Sequence, residues 1–262
     1  MTNDPRDAGR SMPRCHGPWP LIAVLGFATA GFTLARSDEP TRGPDVLGPT
    51  VQIRNGTFRG SGTIITSRNG ETLILTAAHV VKDASDLKVE LHRHNLGSFR
   101  TTGLTEGGGW PRLVPTVVVG FDEPADVAVL RVRGMVALPH VARFDPRASE
   151  PAQGEELTSV GIDRTLFLTR WRTTALQSGL LDIKRGGGPR RFTTTSKFPE
   201  HGRSGGGLFR RDGTIVGVCT GQLTVQTGRP KMGLFASVES IRGLLKDHGV
   251  EPAESPVADR PK

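Results

Sequence analysis

The sequence predicts an all-β protein, folded as a sandwich or a barrel and ending in one helix. Valine, isoleucine and threonine recur in short apolar runs, and 34 glycines and 19 prolines interrupt the chain between them. This pattern is typical of many short strands joined by turns. With 262 residues and 35% hydrophobic content, the chain can bury a core in one or two domains.

The clearest local signal is the dipeptide Asn69-Gly70 between two apolar runs. Both residue types tolerate the positive φ that a two-residue hairpin turn requires. We therefore predict antiparallel strands on either side of it, and a second turn at Asp212-Gly213. The predicted strands span residues 57–67, 71–81, 86–94, 116–121, 126–132, 156–162, 166–183, 190–196, 206–209, 214–221 and 232–238.

One helix is predicted, over residues 237–249, "SVESIRGLLKDHG". Ser237 or Ser240 can cap its N-terminus, its apolar residues share one face, and Gly249 can end it. We expect this helix to close an all-β body.

The N-terminal region has the pattern of an export signal. Three arginines precede an uncharged apolar stretch at residues 21–35, which ends in small residues. We therefore expect residues 1–35 to be a signal peptide or a membrane anchor, and the protein to be exported to the periplasm or secreted. An uncleaved segment would tether the protein through residues 18–35, which approach the length of a membrane span. A buried core helix is the structural alternative.

Composition divides the remaining chain into three parts. Residues 36–47 are polar and contain proline, as expected of a linker, and residues 249–262 resemble a disordered tail. The predicted folded domain spans residues 48–248. Cys15 and Cys219 are the only cysteines, so no framework of intrachain disulfides is expected.

The formal net charge of +8 would suit a nucleic acid or an anionic surface. However, the 34 basic residues are scattered among 26 acidic ones, without a basic stripe interleaved with aromatic residues. We expect no nucleic-acid partner.

Three polar residues stand where a strand end or a shaped loop would fix them. His79 follows the run "LILTAA", Asp126 precedes "VAVLRV", and Ser204 lies within "HGRSGGG". A serine hydroxyl becomes a nucleophile when an imidazole accepts its proton and a carboxylate orients that imidazole. The order His, Asp, Ser is one known arrangement of such a triad.

The glycines around the serine have a separate expected task. Attack on a carbonyl group creates an oxyanion, which backbone N–H groups can stabilise. A Gly-x-Ser turn allows the N–H groups of Gly202 and Ser204 to converge without a Cβ in the way. These two residues are the predicted oxyanion hole.

Three segments, "GSGTIITSRNGETLILTAAHVV", "DVAVLRV" and "GRSGGGLFRRDGTIVGV", resemble the signature regions of chymotrypsin-like serine proteases, particularly the bacterial HtrA/DegP protease domain. The resemblance implies a double six-stranded antiparallel β-barrel with a C-terminal helix and the active site between the barrels. It also implies that His79 is the general base and acid, that Asp126 orients it and that Ser204 attacks, without a cofactor.

The sequence departs from that family at informative positions. Gly207 stands where the family usually has proline. Arg203 stands where trypsin has the aspartate that pairs with a new N-terminus after zymogen cleavage, so that route of activation is expected to be unavailable. We expect no PDZ domain, because too few residues follow the protease domain for one.

The resemblance gives a coarse view of specificity. Phe198 occupies the position of the aspartate at the base of the trypsin pocket, which predicts an uncharged, small or apolar P1 side chain. Thr220 and Gly221 would form the edge that pairs with an extended substrate, and Phe235 would help to floor the pocket.

Other residues offer alternative sites. His92 and His94 could bind a metal, but a third ligand is missing nearby, so a solvated strand face is preferred. Cys219 is expected to be a small buried residue. His201 could compete with His79 as the base, and Asp122 with Asp126.

The leading hypothesis is an exported serine endopeptidase that hydrolyses protein or peptide substrates through an acyl-enzyme. The alternative is a catalytically silent trypsin-like domain that binds peptides or proteins. A third alternative is a basic protein that associates with an anionic polymer.

Overall fold

The computed structural model describes residues 44–97, 111–135, 137–164, 167–183, 187–224 and 231–251. The predicted signal peptide or anchor, most of the predicted linker and most of the predicted tail lie outside these residues. Within the described ranges, no helix has the length and apolar character needed to cross a bilayer.

The first sheet contains seven antiparallel strands: β1 (Thr50–Asn55), β2 (Phe58–Arg68), β3 (Glu71–Thr76), β4 (Leu87–Leu91), β5 (Arg112–Pro115), β6 (Val117–Asp122) and β7 (Val127–Arg133). Their order is β5-β4-β1-β2-β3-β7-β6. Only Thr116 separates the two edge strands β5 and β6. Its N–H donates to the Leu87 carbonyl, and its hydroxyl donates to the Arg131 carbonyl. The chain therefore bends from one edge of the sheet to the other, and β5 and β6 act as one bent sixth strand of a barrel.

The second half of the chain forms a closed six-stranded barrel of order β10-β13-β12-β11-β8-β9. Its strands are β8 (Glu156–Ile162), β9 (Leu168–Leu181), β10 (Arg190–Thr195), β11 (Gly207–Phe209), β12 (Ile215–Leu223) and β13 (Met232–Ser237). Helix α2 (Val238–Asp247) follows the barrel. The predicted fold class, a double antiparallel barrel with a C-terminal helix, is confirmed.

The hairpin between β2 and β3 follows the local prediction. Asn69 has φ 53° and Gly70 has φ 74°, as a type I′ turn requires. The strand predicted over residues 71–81 is too long, because β3 ends at Thr76. A one-turn helix, α1 (Ala78–Val81), follows it and contains His79.

Both ends of α2 use the predicted signals. The Ser237 hydroxyl accepts the Ser240 N–H, so Ser237 is the cap. Gly249 has φ 62°, and the Val250 N–H donates to the Leu245 carbonyl just beyond the helix. A left-handed glycine with this bond is the Schellman ending of a helix.

Two strands that carry the site are buried on both faces. In β3 and β7, Ile74 and Leu130 belong to the core of the first barrel, whereas their neighbours Leu75 and Val129 belong to the core shared with the second barrel. Burial on both faces explains why these runs are continuously apolar instead of alternating. The ends of β3 and β7 are therefore held in place from both sides.

The structure also differs from the sequence prediction at the margins. Val46 and Val250, which lie outside the predicted domain limits of 48 and 248, are buried in the core of the second barrel. The sequence analysis predicts neither β1 nor β5. Strand β5 is short and ends in Pro115, and a proline weakens a strand signal because it confines the strand to a sheet edge.

Candidate active site

The imidazole of His79 is joined to the carboxylate of Asp126. Its Nδ1 lies 2.8 Å from Oδ2 and 3.0 Å from Oδ1, and the His79 backbone N–H also donates to Oδ1 over 2.9 Å. The Asp126 side chain is fully buried, whereas that of His79 is 41% exposed. Carboxylate oxygens accept hydrogen bonds, so this pairing assigns the donor role to Nδ1 and leaves Nε2 as the ring nitrogen that Asp126 does not bind.

Strand pairing brings these two residues together. Thr76, the last residue of β3, is opposite Ala128 near the start of β7. The residues just after β3 and just before β7 therefore meet at one edge of the sheet. Asp126 ends the turn before β7 with φ 58°, a left-handed conformation that aspartate tolerates better than most residues.

The alternative carboxylate, Asp122, has other partners. Its Oδ1 accepts the Ala125 N–H over 3.0 Å, and its Oδ2 lies 3.0 Å from Nε of Arg190. Asp122 therefore shapes the turn that presents Asp126, and the carboxylate bonded to His79 is that of Asp126.

Ser204 lies in a loop between β10 and β11 whose backbone only glycine can form. Gly202 and Gly205 have φ values of 93° and 87°. A Cβ on Gly205 would lie 2.1 Å from the Ser61 carbonyl oxygen, and one on Gly202 would lie 2.7 Å from that of Ile162. The loop is thus packed against the backbone of both barrels.

Residues 200–203 form a tight turn just before the serine. The Arg203 N–H donates to the Glu200 carbonyl over 3.3 Å, and Gly202, at the third position, has positive φ. These features define a type II turn. Within the described residues, the N–H groups of Gly202 and Ser204 have no hydrogen-bond partner. Both donors are therefore available to a ligand.

Ser61 of β2 connects this loop to both barrels. Its N–H donates to the Ser204 carbonyl over 2.7 Å, and its hydroxyl donates to the Gly202 carbonyl over 2.8 Å. The same hydroxyl accepts the N–H of Ile162 in β8 over 2.8 Å. Sequence reasoning missed this residue, and its place in the motif "GSG" is the only signal that could have found it.

Arg203 is fully buried beside the serine. Its guanidinium binds Asp163 with two N–O distances of 2.9 Å, and the centre of the guanidinium lies 4.7 Å from the ring centroid of Trp171. Arg203 also donates to the hydroxyl groups of Ser159 and Thr169. Sequence reasoning missed Asp163 because nothing local marks a partner that is 40 residues away.

His79 and Ser204 line one cleft between the barrels, with a volume of about 660 Å³. The exposed His201 and the backbone of Gly202 also line it, and Asp126 lies buried behind His79. In the part of the chain that the structure describes, the Ser204 hydroxyl makes no hydrogen bond to His79. The three predicted catalytic residues are nevertheless brought to one place.

The four predicted substrate-binding residues do not line this cleft. Phe198 is exposed beside Lys231, and Phe235 is fully buried in the core. Thr220 is buried and donates its hydroxyl to a backbone carbonyl, while Gly221 has φ 142°. Their roles stay predictions.

Cys219 is a free, buried residue, in keeping with its expected character. Burial raises the pKa of its thiol to about 12, so the thiolate needed for nucleophilic attack is scarce at neutral pH. Its backbone carbonyl accepts the Gly205 N–H and its N–H donates to the Gly206 carbonyl. Cys219 therefore supports the serine loop through its main chain.

His92 and His94 do not form the solvated strand face that was predicted. Strand β4 ends before them, their rings stack 5.5 Å apart, and both are half-buried around the short helical turn Arg93–Leu96. Among the described residues, no group of three or more His, Cys, Asp or Glu side chains suits a metal ion.

The sequence matches the trypsin-like peptidase domain family over residues 60–218, more than half of the chain. One relative is the serine protease Do-like HtrA of Bacillus subtilis (strain 168), 31% identical over 76% of this chain and 41% of that protein. Another is the periplasmic pH-dependent serine endoprotease DegQ of Escherichia coli (strain K12), 24% identical over 86% of this chain and 44% of that protein. The chain thus spans less than half the length of these curated relatives.

Solved structures of proteases have the same fold. A protease of M. tuberculosis in an inactive form has a TM-score of 0.55 at 22% identity, covering 78% of this chain and 91% of that one. The serine endoprotease of Yersinia pestis has a TM-score of 0.58 at 21% identity, covering 78% and 63%. Together with the family match, the double barrel identifies this chain as a member of the trypsin-like peptidase domain family.

Proposed function

We propose that this protein is a serine endopeptidase that hydrolyses peptide bonds through an acyl-enzyme on Ser204. The observation that carries the proposal is the bond between His79 Nδ1 and the buried Asp126 carboxylate, beside a cleft that Ser204 also lines. The family membership and the serine protease relatives support the same reaction class.

In the proposed first step, Ser204 Oγ attacks the carbonyl carbon of the scissile bond and its proton passes to His79 Nε2. Asp126 keeps the proton on Nδ1 and stabilises the imidazolium that forms. His79 then gives the proton to the departing amine as the C–N bond breaks. A water molecule, deprotonated by His79, releases the second product by attacking the acyl-enzyme.

The N–H groups of Gly202 and Ser204 are proposed to hold the oxyanion. Their lack of a partner within the described residues supports this role, because a preorganised donor must be free to meet the developing charge. The type II turn keeps the Gly202 N–H in one orientation. Loss of one such donor typically costs about 3 kcal/mol at the transition state.

We further propose that the substrates are proteins or peptides with a small or apolar P1 residue; this preference rests on the family resemblance, which places Phe198 where trypsin has an acidic pocket residue. Export is proposed on two grounds: the basic and apolar pattern of residues 1–35, and relatives named as periplasmic serine endoproteases. N-terminal sequencing of the secreted protein would locate a cleavage site; a start near Arg36 is expected, and retention of residues 1–35 would indicate a tether.

The test is labelling with a fluorophosphonate probe, which reacts with an activated serine. We expect wild type and the control Ser149→Ala, at an exposed serine outside the cleft, to be labelled, and Ser204→Ala to be unlabelled. An unlabelled wild type, under conditions that label a control protease, would refute the proposal in favour of a silent peptide-binding domain.

A further inference from the structure

We infer that Arg203 and Asp163 form a positioning pair that fixes the orientation of the Gly202 N–H in the oxyanion turn. This inference rests on the proposed function. Arg203 is fully buried and cannot contact a substrate, so it would act through the backbone that it anchors.

The Arg203–Asp163 ion pair is surrounded by hydrogen-bond partners and by an aromatic ring inside the second barrel. Both oxygens of Asp163 meet the guanidinium, and Thr169 bonds to both partners. Trp171 covers the guanidinium face. A planar guanidinium bound at two points and stacked on a ring has little freedom to rotate. The guanidinium is thereby fixed relative to β8 and β9, and the fully buried side chain links it to the backbone of Arg203.

Arg203 is also the last residue of the type II turn. Type I and type II turns differ by rotation of the central peptide group, and here that group contains the N–H of Gly202. Its orientation therefore depends on which turn type residues 200–203 adopt. Both turn types place the fourth residue similarly, so the pair would select between them through the contacts of Ile162 and Ser61 with Gly202 that it holds in place.

The other partner of the pair stabilises the same turn from outside. Asp163 follows Ile162, whose carbonyl oxygen would lie 2.7 Å from a Cβ on Gly202. Ile162 also donates its N–H to Ser61, which donates its hydroxyl to the Gly202 carbonyl. The ion pair thus joins the turn to the segment after β8, whose Ile162 contacts Gly202 directly and through Ser61.

This arrangement requires no new N-terminus. Arg203, at the position before the nucleophile, has its counter-charge within the same barrel, 40 residues earlier in the chain. The oxyanion turn is therefore expected to be ordered in the folded chain without proteolytic activation.

The decisive variants are Asp163→Asn and Arg203→Lys, each compared with wild type for kcat, KM and thermal midpoint. We expect kcat to fall about 100-fold, the effect of losing one oxyanion donor, with KM changed less than about 3-fold. Affinity for a peptide aldehyde, whose hemiacetal oxygen occupies the oxyanion hole, should fall in parallel. A merely structural role would lower the thermal midpoint without this selective loss of kcat.

The control is Glu155→Gln, which removes the partner of Arg210 in another ion pair of the second barrel; its kcat should stay within about 2-fold of wild type. Thr169→Val removes the hydrogen bonds of Thr169 to both partners and leaves both charges in place. We expect it to lower kcat several-fold. This variant provides the test if Asp163→Asn and Arg203→Lys do not fold.

The inference would be overturned if Asp163→Asn folds and its kcat is unchanged. If Asp163→Asn does not fold, an unchanged kcat in Thr169→Val would overturn it. A wild type that a fluorophosphonate does not label would instead refute the proposed function on which it rests.

Discussion

The two halves of the candidate site are built in different ways. His79 and Asp126 flank two paired strands, and the register that places Thr76 opposite Ala128 also brings their side chains into contact. Ser204 lies instead in a loop whose partners come from both barrels and in which Gly202 and Gly205 have positive φ. The first half depends on a β-ladder, whereas the second depends on the docking of two barrels.

This difference predicts different weaknesses. A ladder has many hydrogen bonds in parallel, so a single change near its end should alter chemistry more than folding. A loop fixed by close backbone contacts has no space for an added atom. A small change there should therefore alter both the catalytic rate and the stability of the fold.

The largest effect is expected at Asp126→Asn, which should lower kcat by about 10⁴ because the amide favours the wrong tautomer of the imidazole. Steady-state hydrolysis of a peptide substrate measures this loss. Asp122→Asn, which weakens a pairing with Arg190 but leaves His79 untouched, should keep kcat within about 3-fold. Equal losses in both variants would contradict the assignment of Asp126.

A smaller effect on rate, with a larger effect on folding, is expected at Gly205→Ala. The new Cβ would meet the Ser61 carbonyl oxygen at 2.1 Å in a left-handed backbone, so kcat/KM should fall about 100-fold and the free energy of unfolding by about 3 kcal/mol. Activity assays and urea titration measure the two losses.

The matched control for this change is Gly134→Ala, where φ is 73° but none of the described residues has an atom within 4 Å of the new Cβ. It should cost only about 1 kcal/mol of strain and leave kcat unchanged. Similar losses at both glycines would show that backbone strain, and not the docking of the loop, is the dominant effect.

The smallest expected effect is a pH dependence of stability that arises from two histidines of the first barrel. Burial lowers the pKa of both His92 and His94 below their ordinary value of 6.5. As the pH falls below about 6.5, the unfolded chain takes up these protons before the folded one, so stability decreases. The charged and titratable groups around the two rings are Asp45, Arg54, Glu90 and His140.

The free energy of unfolding should therefore decrease between pH 7.5 and pH 5. The thermal midpoint should fall by about 2–4 °C for each kcal/mol of that decrease. The double variant His92→Gln/His94→Gln should show a shallower dependence, and His201→Gln, at an exposed position of the loop, should behave as wild type. A double variant with the full dependence would exclude these histidines as its source.

Local signals in the sequence predicted local structure well. Asn69-Gly70, Ser237 and Gly249 each act through their own backbone or their nearest neighbours, and each was found where it was predicted. The strand predicted over residues 71–81 was too long, because Val80 and Val81 pack on the first core from a helical turn. Apolar residues alone do not distinguish these two ways of reaching the core.

The sequence also determined the candidate chemistry. The order of His79, Asp126 and Ser204, each beside a strand or within a glycine-rich loop, predicted a hydrolytic triad because each residue type supplies one necessary function. Gly202 predicted a turn in which two N–H groups converge without a Cβ in the way.

Only the tertiary structure decided what holds that chemistry in place. The partner of Arg203, the three bonds of Ser61 and the choice of Asp126 over Asp122 depend on segments that are distant in sequence and adjacent in space. Such contacts leave no periodic or compositional signal, because they arise when two barrels dock. The sequence therefore determined the candidate reacting groups, and the fold decided their orientation.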